Sequence, residues 1–479
     1  MAAGNFNLSN SKNNSNGEYK KIVYWVCTIA ALGGLLFGLD IGFIGASLET
    51  IEKIYHLGVE GGEKYAAVLA TGGVVGALLS GLFARFLGRK RSLVFAGFLF
   101  SALSIWSAML PSIEVLTYCR FGLGFAVGVS SFIVPLYLSE TAPAGIRGSM
   151  GTLFQLMITI GIFLIAAINT YIAHAFTNPN ESLPMMFLVV AVFSLVMFFG
   201  CFVLPESPRW LMLKGRREQA EKVLVKVLNT NEEIQEELNE IEQAIKSDKG
   251  AGVGIIFKGY FFKVLLMGVL LQMFQQLVGI NMMIYYAPKI FGYAGITGLV
   301  AALTVPTVNM LFTFPAIRLV EKWGRKKLLY VGSVVMFVTM VAAGLTFASI
   351  GGITDPSQIG TLPKAVLLIS VIVYIFGFAV SWGPVAWLVC SEVFPLEGRE
   401  VGMTITTMVN WTFAGLVMSN ALTFMNHYGN HSIFYVFAGF CLLSMVFLKL
   451  FVPETRGTTL EHIEENLKKG LPLRDIGNK

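Results

Sequence analysis

The sequence predicts an all-α integral membrane protein: twelve transmembrane helices in two six-helix halves, with amphipathic helices on the cytoplasmic side. Three observations predict it: an apolar composition, twelve apolar runs of bilayer length, and loop motifs that recur in the second half of the chain. Of 479 residues, 55% are hydrophobic and only 13% charged, with a mean hydropathy of +0.69. That is too little charge to cover a soluble protein of this length. The 38 Phe and 50 Gly suit helices packed closely in lipid. A net charge of +6 and a pI near 8.9 would fit a nucleic-acid partner. The basic residues sit in short loops between apolar runs, however, so topology accounts for them and no nucleic-acid partner is expected.

The polar start, residues 1–18, is rich in Asn, Ser and Gly and reads as a disordered tail, with no cleavable signal peptide. A bilayer core takes about 20 apolar residues per helix. Runs of that kind begin near Ile22, Tyr65, Ser92, Ile113, Met150, Leu183, Phe261, Leu299, Leu328, Pro363, Val401 and Ser432. One set of loops carries Lys20-Lys21, Arg85 with Arg89-Lys90-Arg91, Arg147, the basic residues of 209–224, Arg318 with Lys322 to Lys327, and Arg399. The opposite set is short or acidic, as in Glu49, Glu52, Glu60 and Glu63. This alternation places both termini in the cytoplasm. Residues 207–250 mix charges with apolar residues at three- and four-residue spacing, the pattern of amphipathic helices, and a second such piece spans roughly 460–469. The expected organisation is a tail (1–18), a first half (19–206), a helical linker (207–255), a second half (256–455) and a closing helix with its tail (456–479).

The halves echo each other. Gly88-Arg89-Lys90 after the second span recurs as Gly324-Arg325-Lys326 after the eighth. Ser139-Glu140 with Arg147 recurs as Ser391-Glu392 with Arg399, and Pro205-Glu206-Ser207 recurs as Pro453-Glu454-Thr455. Duplicated halves with a site at their interface are the design expected of a transporter.

With these repeats in hand, the chain resembles the sugar porters of the major facilitator superfamily, the group of sugar/proton symporters and facilitative glucose transporters. The resemblance rests on PESPR (Pro205 to Arg209), PETRG (Pro453 to Gly457), QQLVGIN (Gln275 to Asn281), SWGPVAW (Ser381 to Trp387) and the GRK loops, and covers nearly the whole chain after the first twenty residues. It implies a monosaccharide transporter, of a hexose or pentose, working by alternating access.

Charged residues recur at the loop ends of both halves: Glu140, Arg147, Glu206, Arg209, Glu392, Arg399 and Glu454. They read either as topology signals on a solvated face or as salt bridges that hold the cytoplasmic side shut between the halves, the use the resemblance implies. Arg85 stands where many superfamily members carry an acid, while the second-half copy keeps Glu321, so a charge relay in the first loop is not expected.

A sugar offers hydroxyls that donate and accept, plus an apolar face; amides meet the first and aromatic rings the second. The seventh span supplies Gln275, Gln276 and Asn281, and other intramembrane amides are Gln155, Asn309 and Asn410. Gln276 and Asn281 would sit about 140° apart on an ideal helix. A bend around Gly279 would let both face one cavity. Gly383-Pro384, just before Trp387, is expected to break the tenth helix. The resemblance places Gln155, Gln275, Gln276, Asn281, Asn309, Trp387 and Asn410 against the sugar, with Gly383 and Trp411 lining the same pocket. Any single amide could equally serve a helix–helix hydrogen bond. Tyr285, Tyr286 and Phe274 read as gate or packing aromatics.

Asp40 is the only acid inside the first span, and a buried carboxylate is a functional candidate by default. Arg120 lies at matching depth in the fourth span and could pair with it. The resemblance implies that Asp40 binds the coupling proton and Arg120 tunes it, since proton-coupled members carry an acid here and many facilitative members an amide. A purely structural pair is the alternative. No other cofactor is expected.

Other classes fit less well. A facilitative uniporter would share every sugar residue; a transporter-like sugar sensor would usually carry a long cytoplasmic tail, and only a few residues follow Gly470. An enzyme would need a nucleophile or metal constellation. His427 and His431 have ligand spacing but flank Gly429 in a loop, and the five cysteines fall in apolar runs without metal spacing. The expectation is a multi-pass, monomeric protein of the plasma membrane, in a bacterium the inner membrane. Which sugar it carries is not legible in these residues.

Overall fold

A computed structural model of the chain describes residues 20–143, 147–247, 252–351, 353, 355–458 and 460–478. The expected tail at 1–18 and the side chains of Arg147 and Glu321 lie outside them. In lipid a backbone must satisfy its own hydrogen bonds, and the twelve apolar runs do so as helices. Among the described residues, twelve helical stretches are long and apolar enough to cross a membrane. In the first half these are Lys21–Tyr55, Val59–Phe86, Arg89–Ala108, Ile113–Thr141, Arg147–Ala175 and Pro179–Val203. In the second half they are Gly259–Tyr293, Gly298–Trp323, Arg325–Ile350, Thr361–Val393, Arg399–Tyr428 and Ser432–Phe451. The largest departure from the expected starts is the second span, which begins six residues early at Val59, because its polar first turns continue the helix instead of forming a loop.

An even number of spans puts both ends of the chain at one end of the bundle, here called the terminal end; the opposite end is the distal end. Packing repeats between the halves. First on fifth, second on fourth and third on sixth in one half match seventh on eleventh, eighth on tenth and ninth on twelfth in the other. The halves meet where the second span packs on the eleventh and the fifth on the eighth, and where the first span meets the second part of the seventh. Close approach depends on small residues. A Cβ on Gly38 would come within 2.0 Å of the Ile158 carbonyl oxygen, so the first span can lie against the fifth only with glycine there.

Three spans of the second half are interrupted. The seventh divides into Gly259–Leu277 and Ile280–Tyr293, hinged at Gly279, whose φ of +99° is strained for any residue with a Cβ. The tenth divides at Ser381, between Thr361–Val380 and Trp382–Val393. This corrects the expectation of a break at Gly383-Pro384: those residues sit in the first turn of the new helix. Pro384 has no N–H for the Val380 carbonyl and its ring crowds that position, so the helix is cut upstream of the proline. The eleventh divides into Arg399–Met418 and Ala421–Tyr428.

The polar stretch between the halves folds as helices Pro208–Leu213, Arg217–Val227 and Asn231–Ser247, packed around Trp210, Leu211, Ala220, Leu224, Ile234 and Leu238. A further helix, Leu460–Lys468, follows the last span. All five cysteines are buried.

Candidate functional site

The break at Gly279 decides the geometry of the amides. It turns the second part of the seventh span so that Asn281 Nδ2 donates to Gln276 Oε1 at 2.6 Å. Gln276 Nε2 in turn donates to Asn410 Oδ1 at 3.0 Å. Asn410 Nδ2 donates to Gln272 Oε1 at 2.7 Å and to Gln275 Oε1 at 2.5 Å. Gln275 Nε2 reaches the carbonyls of Trp382 and Gly383 at 2.9 and 3.2 Å, beside the break in the tenth span. Five side chains from the seventh and eleventh spans thus form one buried chain of amides. Each can exchange its partner for a hydroxyl, since an amide both donates and accepts.

Aromatic rings border this chain. Trp411, next to Asn410, packs on Phe37 of the first half with centroids 5.2 Å apart, and Phe37 lies 6.4 Å from Phe154. Phe154 is followed by the half-buried Gln155, on the fifth span that packs against the eighth with Asn309. Asn309 is buried, and the half-buried Trp387 sits one turn after Gly383. Gln155, Asn309 and Trp387 therefore stand outside the hydrogen-bonded amide chain. Phe274 packs on Phe447 inside the second half, 5.3 Å between centroids, which is a packing role.

Asp40 and Arg120 do meet. Arg120 Nη1 donates to Asp40 Oδ1 at 2.7 Å, both residues are 1% exposed, and Tyr65 places its ring 5.9 Å from the guanidinium carbon. Asp40 Oδ2 and Arg120 Nε and Nη2 have no hydrogen-bond partner among the described residues. A buried pair so incompletely bonded is costly, and uptake of a proton by the carboxylate relieves the cost on that side. Tyr285, in the other half, is buried. It sits one helical turn after Asn281, where Gly45 of the first span approaches the Ile284 carbonyl. One short helix therefore carries both an amide of the chain and the close contact with the first span, five residues after Asp40.

Among the described residues, the acids of the charged loops pair inside their own halves and not across them as expected. Arg89 Nη2 pairs with Glu140 at 2.6 Å, and Arg325 Nη2 with Glu392 at 2.8 Å, each inside its own half. Glu206 accepts from the backbone N–H of Arg89 and Lys90, and Glu454 from those of Arg325 and Lys326. These are carboxylates on helix N-termini. Both helices start from glycines with positive φ, Gly88 and Gly324, where a Cβ would meet the capping carboxylate. Ser207 and Thr455 hydroxyls complete the copies by donating to Glu140 and Glu392. Arg209 is half-buried at the start of the linker helices, and an Arg399 Nη donates to Phe394 O at 3.5 Å. The physical reason is reach: each acid lies beside the GRK arginine of its own half, so it is satisfied there.

A family model described as "Sugar (and other) transporter" matches residues 26–467. The chain belongs to this family of sugar transporters. It is 40% identical over 462 residues to the galactose-proton symporter of Escherichia coli (strain K12), covering 96% of this chain and 97% of that one. It is 35% identical over 464 residues to the arabinose-proton symporter of the same strain, covering 96% of each. It is 33% identical over 450 residues to the D-xylose transporter of Levilactobacillus brevis, covering 93% and 95%. Among solved structures it is similar to the major facilitator proton:xylose symporter XylE bound to 6-bromo-6-deoxy-D-glucose, with a TM-score of 0.79, 30% identity, and coverage of 92% and 98%. The inward open conformation of XylE from E. coli gives 0.78 at 29% identity, covering 92% and 99%.

Within this sugar transporter, sequence reasoning missed three sets of residues. Gln272 anchors the amide chain, and its signal was available: a glutamine in an apolar span, three and four residues before Gln275 and Gln276, hence on their face. Arg89 and Arg325 were read as topology signals, although their place in a repeated motif marked them as partners for the repeated acids. Glu63 was read as a loop acid; it is instead fully buried, and it accepts from Leu422 and Thr423 of the other half.

Proposed function

We propose that this multi-pass membrane protein carries a monosaccharide across the bilayer by alternating access, with a proton as the coupling ion and no other cofactor. The buried Asp40–Arg120 pair is the observation that carries the coupling. Its Oδ2, which no described residue hydrogen-bonds, is a protonation site, and the approach of Gly45 to the Ile284 carbonyl ties its span to the helix that bears Asn281. The sugar lies against Gln155, Gln275, Gln276, Asn281, Asn309, Gly383, Trp387, Asn410 and Trp411, from the fifth span of the first half and the seventh, eighth, tenth and eleventh spans of the second. Gln272 braces that set from behind. Galactose, arabinose and xylose, the sugars named for its relatives, are the first substrates to test.

The terminal end faces the cytoplasm, in keeping with its basic loops, and the membrane is a bacterial inner membrane, as the bacterial relatives suggest. A single chain supplies both halves and every site residue, which supports a monomer as the working unit. The family and its named relatives are transporters, which supports a transport role in place of an enzymatic one. The charged loops act in gating through the two matched networks, Arg89 with Glu140 and Glu206, and Arg325 with Glu392 and Glu454, each bracing its own half.

The test is proton movement on sugar addition. De-energised cells or vesicles containing the protein alkalinise a lightly buffered medium when given a transported sugar. Uptake of that sugar with no pH change would make the protein a uniporter.

A further inference from the structure

We propose that Glu63 latches the distal gate: its carboxylate caps the start of helix Ala421–Tyr428 across the two halves, and releasing it opens the distal end. This rests on the reading of the chain as an alternating-access carrier.

The break in the eleventh span leaves a carbonyl at one lip and backbone amides at the other. The carbonyl is satisfied within the second half, where the Tyr286 hydroxyl donates to Met418 O at 2.6 Å. The amides are satisfied from the first half. Glu63 accepts from Leu422 N, from Thr423 N at 3.0 Å and from the Thr423 hydroxyl. The residue is 0% exposed although it is an acid near the end of a span. A carboxylate on a helix N-terminus gains from charge-assisted hydrogen bonds and from the helix dipole. The same device holds Glu206 and Glu454 at the terminal end, but there the acid and the helix it caps belong to one half.

Among the described residues, the two ends of the bundle therefore differ. At the distal end Glu63 and the Glu52–Lys289 pair, at 2.6 Å, both join first half to second. At the terminal end the Arg89–Glu140, Arg325–Glu392 and Lys258–Glu397 pairs each lie inside one half. Opening the terminal end breaks none of these. Opening the distal end strips Glu63 of three donors and uncovers the amides it caps. Glu63 is thus a positioning residue that sets the balance between the two open states, away from both sugar and proton.

Thiol labelling of full-length protein in nanodiscs tests this, because the five native cysteines are buried. Ala287→Cys, 3% exposed where the second part of the seventh span faces the first, reports on the distal end. Ser139→Cys, exposed at the end of the fourth span, reports on the terminal end. In a Glu63→Ala background the distal thiol is expected to label about tenfold faster and the terminal thiol more slowly. Thr423→Val, which removes one donor and disturbs packing little, is expected to shift both in the same directions by less. Unchanged distal labelling, or faster labelling at both ends as general loosening would give, overturns the latch. Sugar uptake by the parent, measured alongside, separates the two readings: a parent that transports while its Glu63 variants label like it refutes the latch alone.

Discussion

Asn281 donates a 2.6 Å hydrogen bond to Gln276 across the break at Gly279. On an unbroken helix five residues would set those side chains about 140° apart. The break is therefore what converts two amides on opposite faces into neighbours in one site.

Gly279→Ala should damage the site more than the fold. A residue with a Cβ at φ +99° costs about 1–2 kcal/mol, and the added carbon would lie 2.6 Å from the Phe437 ring. The expected result is a lower melting temperature together with at least about a tenfold loss of sugar affinity. Calorimetric titration beside a thermal melt checks both, and full affinity in the variant would mean the break is not needed for binding.

Asn410→Ala removes the centre of the amide chain. Gln272 and Gln275 lose a donor and Gln276 loses an acceptor, at about 1–3 kcal/mol for each buried group left unsatisfied. Sugar binding should weaken by tenfold or more, about 1.4 kcal/mol. Gln272→Leu, which strikes only the brace, should weaken it less. Equilibrium binding with the pair of variants ranks them, and the reverse order would place Gln272 in the site.

Much of this was legible in the sequence, and the rest was hidden for identifiable reasons. Span number and the repeated halves follow from hydropathy and motif spacing, which depend on local composition. The pairing of Asp40 with Arg120 followed from depth, because two charges in a bilayer core have few other partners. The break at Gly279 was legible because two amides needed a common face. The break in the tenth span was legible from Gly383-Pro384, but its position at Ser381 was not, since a proline acts on the carbonyl four residues before it and the helix yields upstream. Glu63 was misread because hydropathy treats a span-end acid as a loop signal, and its partners lie 359 and 360 residues away.

The two capping carboxylates should behave alike. Glu206→Gln and Glu454→Gln each remove an anion from a helix N-terminus, an interaction worth about 0.3–1 kcal/mol and up to ~2 when partly buried. Each variant should melt at a lower temperature, and the two drops should be similar. Thermal unfolding of both decides it; a drop in one alone would break the matched-halves account.

Glu397 gives a pH dependence. Hydrogen bonds from Lys258 and then Lys468 hold its carboxyl below the usual range. A folded value lower than the unfolded one means the stabilisation is fully present above the ordinary carboxylate pKa of ~4.3 and is lost as pH falls through the depressed value. Helix Leu460–Lys468 should therefore become more susceptible to pepsin as pH falls below about 4. In Glu397→Gln it should be equally susceptible across the acid range in which pepsin works. Equal acid sensitivity in parent and variant would assign the effect to another group.

The central claim is that Asp40 couples sugar to proton, and accumulation in proteoliposomes under an inward proton gradient tests it most directly. The parent is expected to concentrate sugar above the external level. Asp40→Asn is expected to equilibrate sugar without concentrating it, while still exchanging labelled for unlabelled sugar. A parent indifferent to the gradient, or an Asp40→Asn variant that accumulates sugar as the parent does, would contradict the account and leave Asp40 and Arg120 a structural pair.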